Sequence, residues 1–193
     1  MPAGRQPTTD LAYIAVFAAL IAALALVPSI PIGPVPITLQ TLGVLLAGLI
    51  LGPWRGFAAV TLYLLVGLAG LPVFAGGTGG LGVFGKPSIG YLLSFPIAAL
   101  VAGALVLALG GRNPRLRALW LGLAALLATV LVIYPAGIAG LMLVAQLDLA
   151  AAFTVNAAFW VGDLVKVVVA AAITMAVHRA FPALLPRRMP ATA

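Results

Sequence analysis

The sequence has no cysteine, no glutamate and a single histidine, His178. The absence of cysteine excludes disulfides and thiolate chemistry, although it does not indicate a cellular compartment. The three acidic residues are all aspartates. Histidine and carboxylate side chains do not cluster in the sequence, so it does not predict a metal site. The sequence also lacks a serine–histidine pairing of the kind that nucleophilic catalysis uses. His178 is expected to be a solvated or interfacial side chain. We therefore predict that the chain is not an enzyme.

Charge of either sign is also scarce. Only 7% of the 193 residues are charged, 64% are hydrophobic, and the mean hydropathy of +1.26 lies far outside the range of a soluble domain. Apolar runs of about twenty residues indicate membrane-spanning helices. The sequence therefore predicts an all-α integral membrane protein, with residues 1–193 forming a single membrane domain.

Six apolar runs are present. The second is short and follows a proline-rich segment, and the fifth contains Pro135, which removes a backbone hydrogen bond and is expected to kink the helix. The predicted spans cover approximately residues 11–27, 38–51, 56–71, 90–109, 118–145 and 152–179.

The positions of the arginines predict how the six spans are oriented in the membrane. Six alternating spans place every arginine on one side, and the opposite loops carry only Lys86 and Asp148. By the positive-inside rule both termini are predicted to be cytoplasmic. The formal charge of +7 is therefore interpreted as a topology signal with contact to anionic lipid, and not as a nucleic-acid footprint. The arginines concerned are Arg5, Arg55, Arg112, Arg115, Arg117, Arg179, Arg187 and Arg188.

Two loops on the opposite side differ from ordinary connections. Four prolines stiffen residues 27–40, which predicts a shaped cover that ends with Thr38 and Gln40 at the second span. Residues 76–91 are rich in glycine, include Thr78 and Gly79 and lead to Tyr91, which predicts one wall of a small-molecule pocket. A plain inter-helix loop and a flexible glycine linker remain the alternatives.

The sixth span carries a charged pair within hydrocarbon. Asn156, Trp160 (or its neighbour Phe159), Asp163 and Lys166 follow helical spacing and are predicted to share one stripe. Charged side chains at bilayer depth are costly, which favours a recognition site. A buried ion pair that only locks helices, and a proton relay through the aspartate, remain open.

The first span has alanines four residues apart, at Ala15, Ala19 and Ala23. Such spacing of small residues lets helix backbones approach closely in lipid. This face is predicted either to pack inside the protein or to dock another membrane subunit.

Several ordered motifs resemble the BioY family, the biotin-specific substrate-binding (S) components of energy-coupling-factor (ECF) transporters. The matching segments lie at residues 34–42, 47–48, 51–56, 70–75, 87–95 and 162–166. One departure is Ile89, which stands where the family commonly has a glycine, while Ser88 keeps the family's hydroxyl.

The resemblance implies a six-helix S-component bundle in a bacterial-type cytoplasmic (inner) membrane that binds biotin with high affinity and no cofactor. It also implies docking on a membrane coupling (T) subunit and two ATPases that drive uptake, with Ala15, Ala19 and Ala23 as the docking face. The resemblance and the stripe on the sixth span together predict a biotin-binding set of Asp163, Lys166, Asn156, Trp160, Tyr91, Thr78, Gly79 and Gln40.

The chemistry of biotin suits this set. Asp163 can accept from a ureido N–H, Lys166 can donate to the ureido carbonyl, and the valerate carboxylate then needs glycine-loop N–H groups, water or Lys86. A solitary secondary biotin carrier working without ATPases and a purely structural membrane subunit are the remaining alternatives.

Overall fold

The computed structural model describes residues 7–109 and 116–184, and its regular elements are helices. Within these ranges only two isolated antiparallel bridges occur, and no longer strand. Helices α1 to α8 span Pro7–Leu26, Gln40–Leu51, Pro53–Leu68, Ile89–Leu109, Arg117–Ala128, Tyr134–Val144, Leu149–Ala157 and Trp160–Ala180. Short 3-10 helices cover Leu81–Gly85 and Pro182–Leu184.

Four helical segments are long and apolar enough to cross a membrane, namely Thr8–Leu26, Ile89–Leu109, Arg117–Val144 and Trp160–Ala180. Helices α2 and α3 are apolar but shorter. The first five predicted spans each coincide with one of these helices and differ from it by at most a few residues at either end. The protein is thus an all-helical, multi-pass membrane protein by length and composition.

The segment predicted as a sixth span, 152–179, is interrupted in the structure. Helix α7 ends at Ala157, and Phe159 donates its N–H to Asn156, three residues back, before regular spacing resumes with Asp163 N–H to Phe159 O at 2.8 Å. Neither Pro nor Gly occupies the turn, so the sequence carries no signal for it. The turn buries the Phe159 ring, which is 7% exposed.

The helix that contains Pro135 is irregular just before the proline. A π-helical turn, Thr129–Ile133, joins α5 to α6 directly before the proline. A proline ring collides with the carbonyl four residues earlier, which here is that of Leu131. The π turn is wider than an α-helical turn and includes Leu131, whose carbonyl would otherwise meet the ring. The segment Arg117–Val144 therefore remains one continuous helical segment.

One end of the bundle collects the described arginines, and we call it the arginine end. Arg55 pairs with Asp10 at 2.6 Å, which joins the starts of α1 and α3. Arg117 contacts His178 Nδ1 at 3.1 Å, and His178 Nε2 lies 3.3 Å from Ile50 O, which joins α5, α8 and α2. His178 is therefore buried rather than solvated. Five predicted cytoplasmic arginines lie outside the described residues, namely Arg5, Arg112, Arg115, Arg187 and Arg188.

Close helix contacts depend on glycine at a few positions. Gly52 has a φ of +83° and, with Pro53 at the first position of α3, forms the one-residue turn between α2 and α3. On α4, a Cβ at Gly90 would collide with the Ala136 carbonyl of α6. Helix α4 packs against α2, α3 and α6, and the close contact of Gly90 with α6 fixes the position of the neighbouring Tyr91.

Candidate functional site

A cavity of about 320 Å³ lies at the end of the bundle opposite the arginine end. Its size falls within the usual range for small-molecule sites. The proline-rich loop, the glycine-rich loop and the first turns of α2, α4 and α8 surround it. The lining residues are Pro34, Val35, Pro36, Ile37, Thr38, Gln40, Thr41, Phe74, Ala75, Thr78, Val83, Lys86, Pro87, Ser88, Tyr91, Leu92, Phe95, Ile133, Phe159, Asp163 and Lys166.

The charged pair of α8 lies in this lining and is almost completely buried. Asp163 is 8% exposed and Lys166 6% exposed, and Lys166 Nζ lies 2.8 Å from Asp163 Oδ1. Lys166 Nζ also donates to Thr41 Oγ1 of α2 at 3.0 Å. An ammonium has three donors, so one N–H of Lys166 has no partner among the described residues and can reach a ligand.

The second oxygen of Asp163 is also engaged. Tyr134, at the start of α6, donates its hydroxyl to Asp163 Oδ2 at 3.1 Å. Each carboxylate oxygen keeps a further lone pair, so Asp163 can still accept from a ligand N–H. Both oxygens of Asp163 therefore accept hydrogen bonds from the protein, and each still has a lone pair available to a ligand.

Aromatic rings form the apolar walls. Tyr91 and Phe159 meet edge to face with centroids 5.6 Å apart, and Tyr63 and Phe74 do the same at 5.4 Å. The Tyr91 hydroxyl donates to Asn156 Oδ1 at 3.0 Å. This bond fixes the Tyr91 ring against the cavity, because Asn156 is itself 1% exposed.

The proline-rich loop is a short hairpin that is fastened to the bundle. Ile30 and Ile37 exchange two backbone hydrogen bonds of 3.0 and 2.9 Å. At its end, Gln40 Nε2 donates to the Tyr63 hydroxyl, which in turn donates to Val73 O at 3.2 Å. The two cavity loops are thus linked to each other through Gln40 and Tyr63.

The glycine-rich loop contributes a second cation to the cavity. Phe74 and Thr78 form a backbone bridge, and Thr78 Oγ1 donates to Ala75 O at 3.1 Å. Lys86 lines the cavity, and within residues 7–109 and 116–184 no carboxylate forms an ion pair with it. The lining therefore holds one carboxylate and two ammonium groups, a balance that suits an anionic ligand.

The structure separates the predicted binding residues into two groups. Those that line the cavity are Asp163, Lys166, Tyr91, Thr78 and Gln40. Asn156 lies behind Tyr91, and Gly79 lies against the backbone of Leu71, where a Cβ would collide with the carbonyl oxygen. Trp160 is 38% exposed and packs on Tyr134 instead.

Sequence reasoning missed several contacts. Thr41 and Tyr134 bind the charged pair directly, and Phe95 and Ile133 complete the lining. Helical spacing could not reveal them, because Thr41 lies 125 residues from Lys166 along the chain. Thr41 reaches the site because α2 packs against α8, and Tyr134 reaches it through the hydrogen bond from its hydroxyl to Asp163.

The alanines of the first span lie elsewhere. Ala15, Ala19 and Ala23 are exposed on one outer face of α1. They do not contribute to the cavity lining.

The model of the BioY family matches residues 2–183. The chain belongs to the BioY family. The biotin transporter BioY of Rhizobium etli is 44% identical over 185 residues, which cover 94% of this chain and 98% of that protein. The biotin transporter BioY of Rhodobacter capsulatus is 44% identical over 190 residues, which cover 91% of this chain and 96% of that protein.

A solved structure agrees with the fold. The S-component for biotin from an ECF-type ABC transporter superposes with a TM-score of 0.86 at 30% sequence identity, covering 96% of this chain and 100% of that one. The family and these relatives are transporters and not enzymes. The membrane-spanning helices fit this membership.

Proposed function

We propose that this BioY family member is the biotin-binding membrane subunit of an uptake system. The observation that carries the proposal is the buried Asp163–Lys166 pair, which opens onto a cavity lined by apolar and aromatic groups. An isolated buried ion pair seldom adds net stability after its desolvation. A pair that faces a ligand cavity has a function that compensates for this cost. The relatives, which are biotin transporters, indicate the ligand.

In the proposed binding mode the ureido ring lies on the charged pair. Asp163 accepts from a ureido N–H, and the remaining donor of Lys166 binds the ureido carbonyl. Phe74, Tyr91 and Phe159 cover the apolar thioether ring. This arrangement satisfies the polar groups of the ligand and of the pair together, as a buried polar site requires.

The valerate carboxylate is assigned to Lys86 and to the N–H groups of the glycine-rich loop. The mutual pairing of Asp163 and Lys166 leaves Lys86 as the unbalanced charge of the lining. The valerate carboxylate of bound biotin neutralises the Lys86 ammonium. Thr78 and Gly79 belong to the same loop and shape its backbone through the contacts described above.

The finer membrane arrangement is part of the proposal. Residues 1–193 form one domain of six spans in the bacterial inner membrane, with both termini cytoplasmic. The positive-inside rule and the collection of described arginines at one end of the bundle support this orientation. The cavity then faces outward, where biotin is captured.

Uptake is proposed to be energised by an ECF coupling (T) subunit with its ATPases. The similarity to a solved S-component of an ECF-type ABC transporter supports this assignment. The exposed face of Ala15, Ala19 and Ala23 on α1 is proposed to dock the coupling subunit.

The test is calorimetry on the purified protein with biotin and with biotin amide, whose carboxylate is blocked. The native chain is expected to bind biotin at one site. Asp163→Asn should weaken both ligands by about tenfold or more, because a hydrogen bond to a charged group is lost from the ureido ring. Lys86→Ala should weaken biotin and leave the amide unchanged, and Lys86→Arg serves as the matched control.

Two results would contradict the proposal. Undiminished affinity of a folded Asp163→Asn variant would remove the ureido assignment. Failure of the folded native chain to bind biotin would remove the function itself.

A further inference from the structure

The helix that runs from Arg117 to Val144 contains an irregular turn, and this turn ends at a residue of the site. The N–H of Tyr134 donates to Thr129 O, five residues earlier, as in a π-helix. Thr129 is buried, and its hydroxyl donates to Ala125 O at 3.0 Å, which fastens the turn to α5. One extra residue in a turn rotates all following side chains by roughly 100° about the helix axis. The π turn therefore decides which way Tyr134 faces.

Tyr134 faces the Asp163 carboxylate. Its hydroxyl donates to Oδ2, while Lys166 donates to Oδ1 from the other side. Tyr134 is 5% exposed and is absent from the cavity lining. It can therefore influence a ligand only through the aspartate.

The Trp160 ring packs against the Tyr134 ring. The two rings lie 5.5 Å apart at 54°, and Trp160 precedes Asp163 by three residues on the same face of α8. The indole thus bridges the helix that carries the carboxylate and the side chain that binds it. This contact accounts for a tryptophan at a position that does not line the cavity.

We propose that Tyr134, oriented by the π turn and supported by Trp160, is a positioning residue for the ligand-binding carboxylate. It fixes the rotation of Asp163 so that the remaining lone pairs point at a cyclic urea. This inference rests on the proposed function only for the identity of the ligand. The contact between Tyr134 and Asp163 stands without it.

The first test is a double-variant cycle with labelled biotin. Tyr134→Phe should weaken binding by about tenfold in the native background, since one hydrogen bond to a charged group is lost. In the Asp163→Asn background the same change should alter affinity by less than about twofold, because the two residues act as a unit. Tyr13→Phe, on α1 and partly buried against the core at the arginine end, is the matched control with unchanged binding. Equal losses in both backgrounds, or no loss in the native one, would overturn the proposal.

The second test uses no ligand. The chain has three aspartates and no glutamate, so its carboxylate infrared bands are few and Asp163→Asn identifies the band of Asp163. Tyr134→Phe should shift this band, and Tyr13→Phe should not. An unshifted band would overturn the positioning role even where biotin binds. A shifted band in a protein that does not bind biotin would instead overturn the proposed function and leave the contact established.

Discussion

At the scale of single residues, the charges of the cavity depend on one another. Asp163 is held by Lys166 and Tyr134, and Lys166 by Asp163 and Thr41. Both charges lie where water is largely excluded, so loss of either partner leaves the other buried and unpaired. Stability and binding therefore respond differently to single and to paired substitutions, which separates a ligand site from a purely structural ion pair.

Lys166→Met alone is expected to lower the free energy of unfolding by about 3–5 kcal/mol, because Asp163 then loses its counter-charge. The pair Asp163→Leu with Lys166→Met should lose far less, since apolar side chains of similar volume replace both charges. Biotin binding should be lost in both proteins. Thermal unfolding in one detergent, together with binding of labelled biotin, measures the two quantities.

If Asp163 and Lys166 formed a purely structural ion pair, thermal unfolding and biotin binding would differ from these expectations. Retention of biotin binding by the doubly substituted protein would contradict the site, whatever its stability. A double variant as unstable as the sum of its two single variants would contradict the coupling between the charges.

At the scale of elements, the cavity depends on how closely α4 approaches α6. Gly90 contacts the backbone of Ala136 and Gly140, and Gly137 lies under the ring of Tyr91. These contacts bring Tyr91 to the cavity wall and within hydrogen-bonding distance of Asn156. Small residues at helix crossings permit such an approach in lipid, where close packing rather than the hydrophobic effect drives association.

Gly90→Ala is expected to destabilise the protein by about 1–3 kcal/mol, because the new methyl group collides with backbone that cannot move aside. It should also weaken biotin binding by displacing Tyr91. Gly122→Ala on α5 is the matched control, since a Cβ there meets only Val167 Cγ1 at 3.9 Å, its backbone does not require positive φ, and Gly122 does not line the cavity. Thermal unfolding and biotin titration of both variants check the expectation, and equal behaviour of the two would contradict it.

At the scale of the whole molecule, the arginine contacts and the cavity lie at opposite ends of the bundle. The arginine end contains the Asp10–Arg55 pair and the Arg117–His178 contact, and the opposite end contains the cavity. The exposed alanine face of α1 belongs to neither. The proposed ligand capture and the proposed coupling to an energy source can therefore be tested independently.

Ala19→Leu should leave biotin binding unchanged and reduce biotin uptake by about tenfold or more, since the added bulk prevents close helix approach by the coupling subunit. Ala172→Leu, at an exposed position on α8, is the matched control with normal uptake. Uptake of labelled biotin in cells that contain the T subunit and ATPases measures both. Equal uptake in cells lacking these subunits would instead favour a solitary carrier.

The membrane class, the resemblance to the family and the charged pair of Asp163 and Lys166 can be recognised without coordinates. Long apolar runs, one-sided arginines and ordered motifs are local properties of the chain, and helices in lipid satisfy their own backbone groups. The positions of the first five helices followed for the same reason.

Which side chains meet depends on how the helices pack together. The turn at Ala158 and Phe159 carries no clear sequence signal, and Pro135 predicts an irregular helix without predicting a π turn before Tyr134. Thr41 and Tyr134 reach the pair from distant segments, and Trp160 turns from the cavity to support Tyr134. Helical spacing places residues on one face of one helix, whereas a ligand site is made by the faces of several.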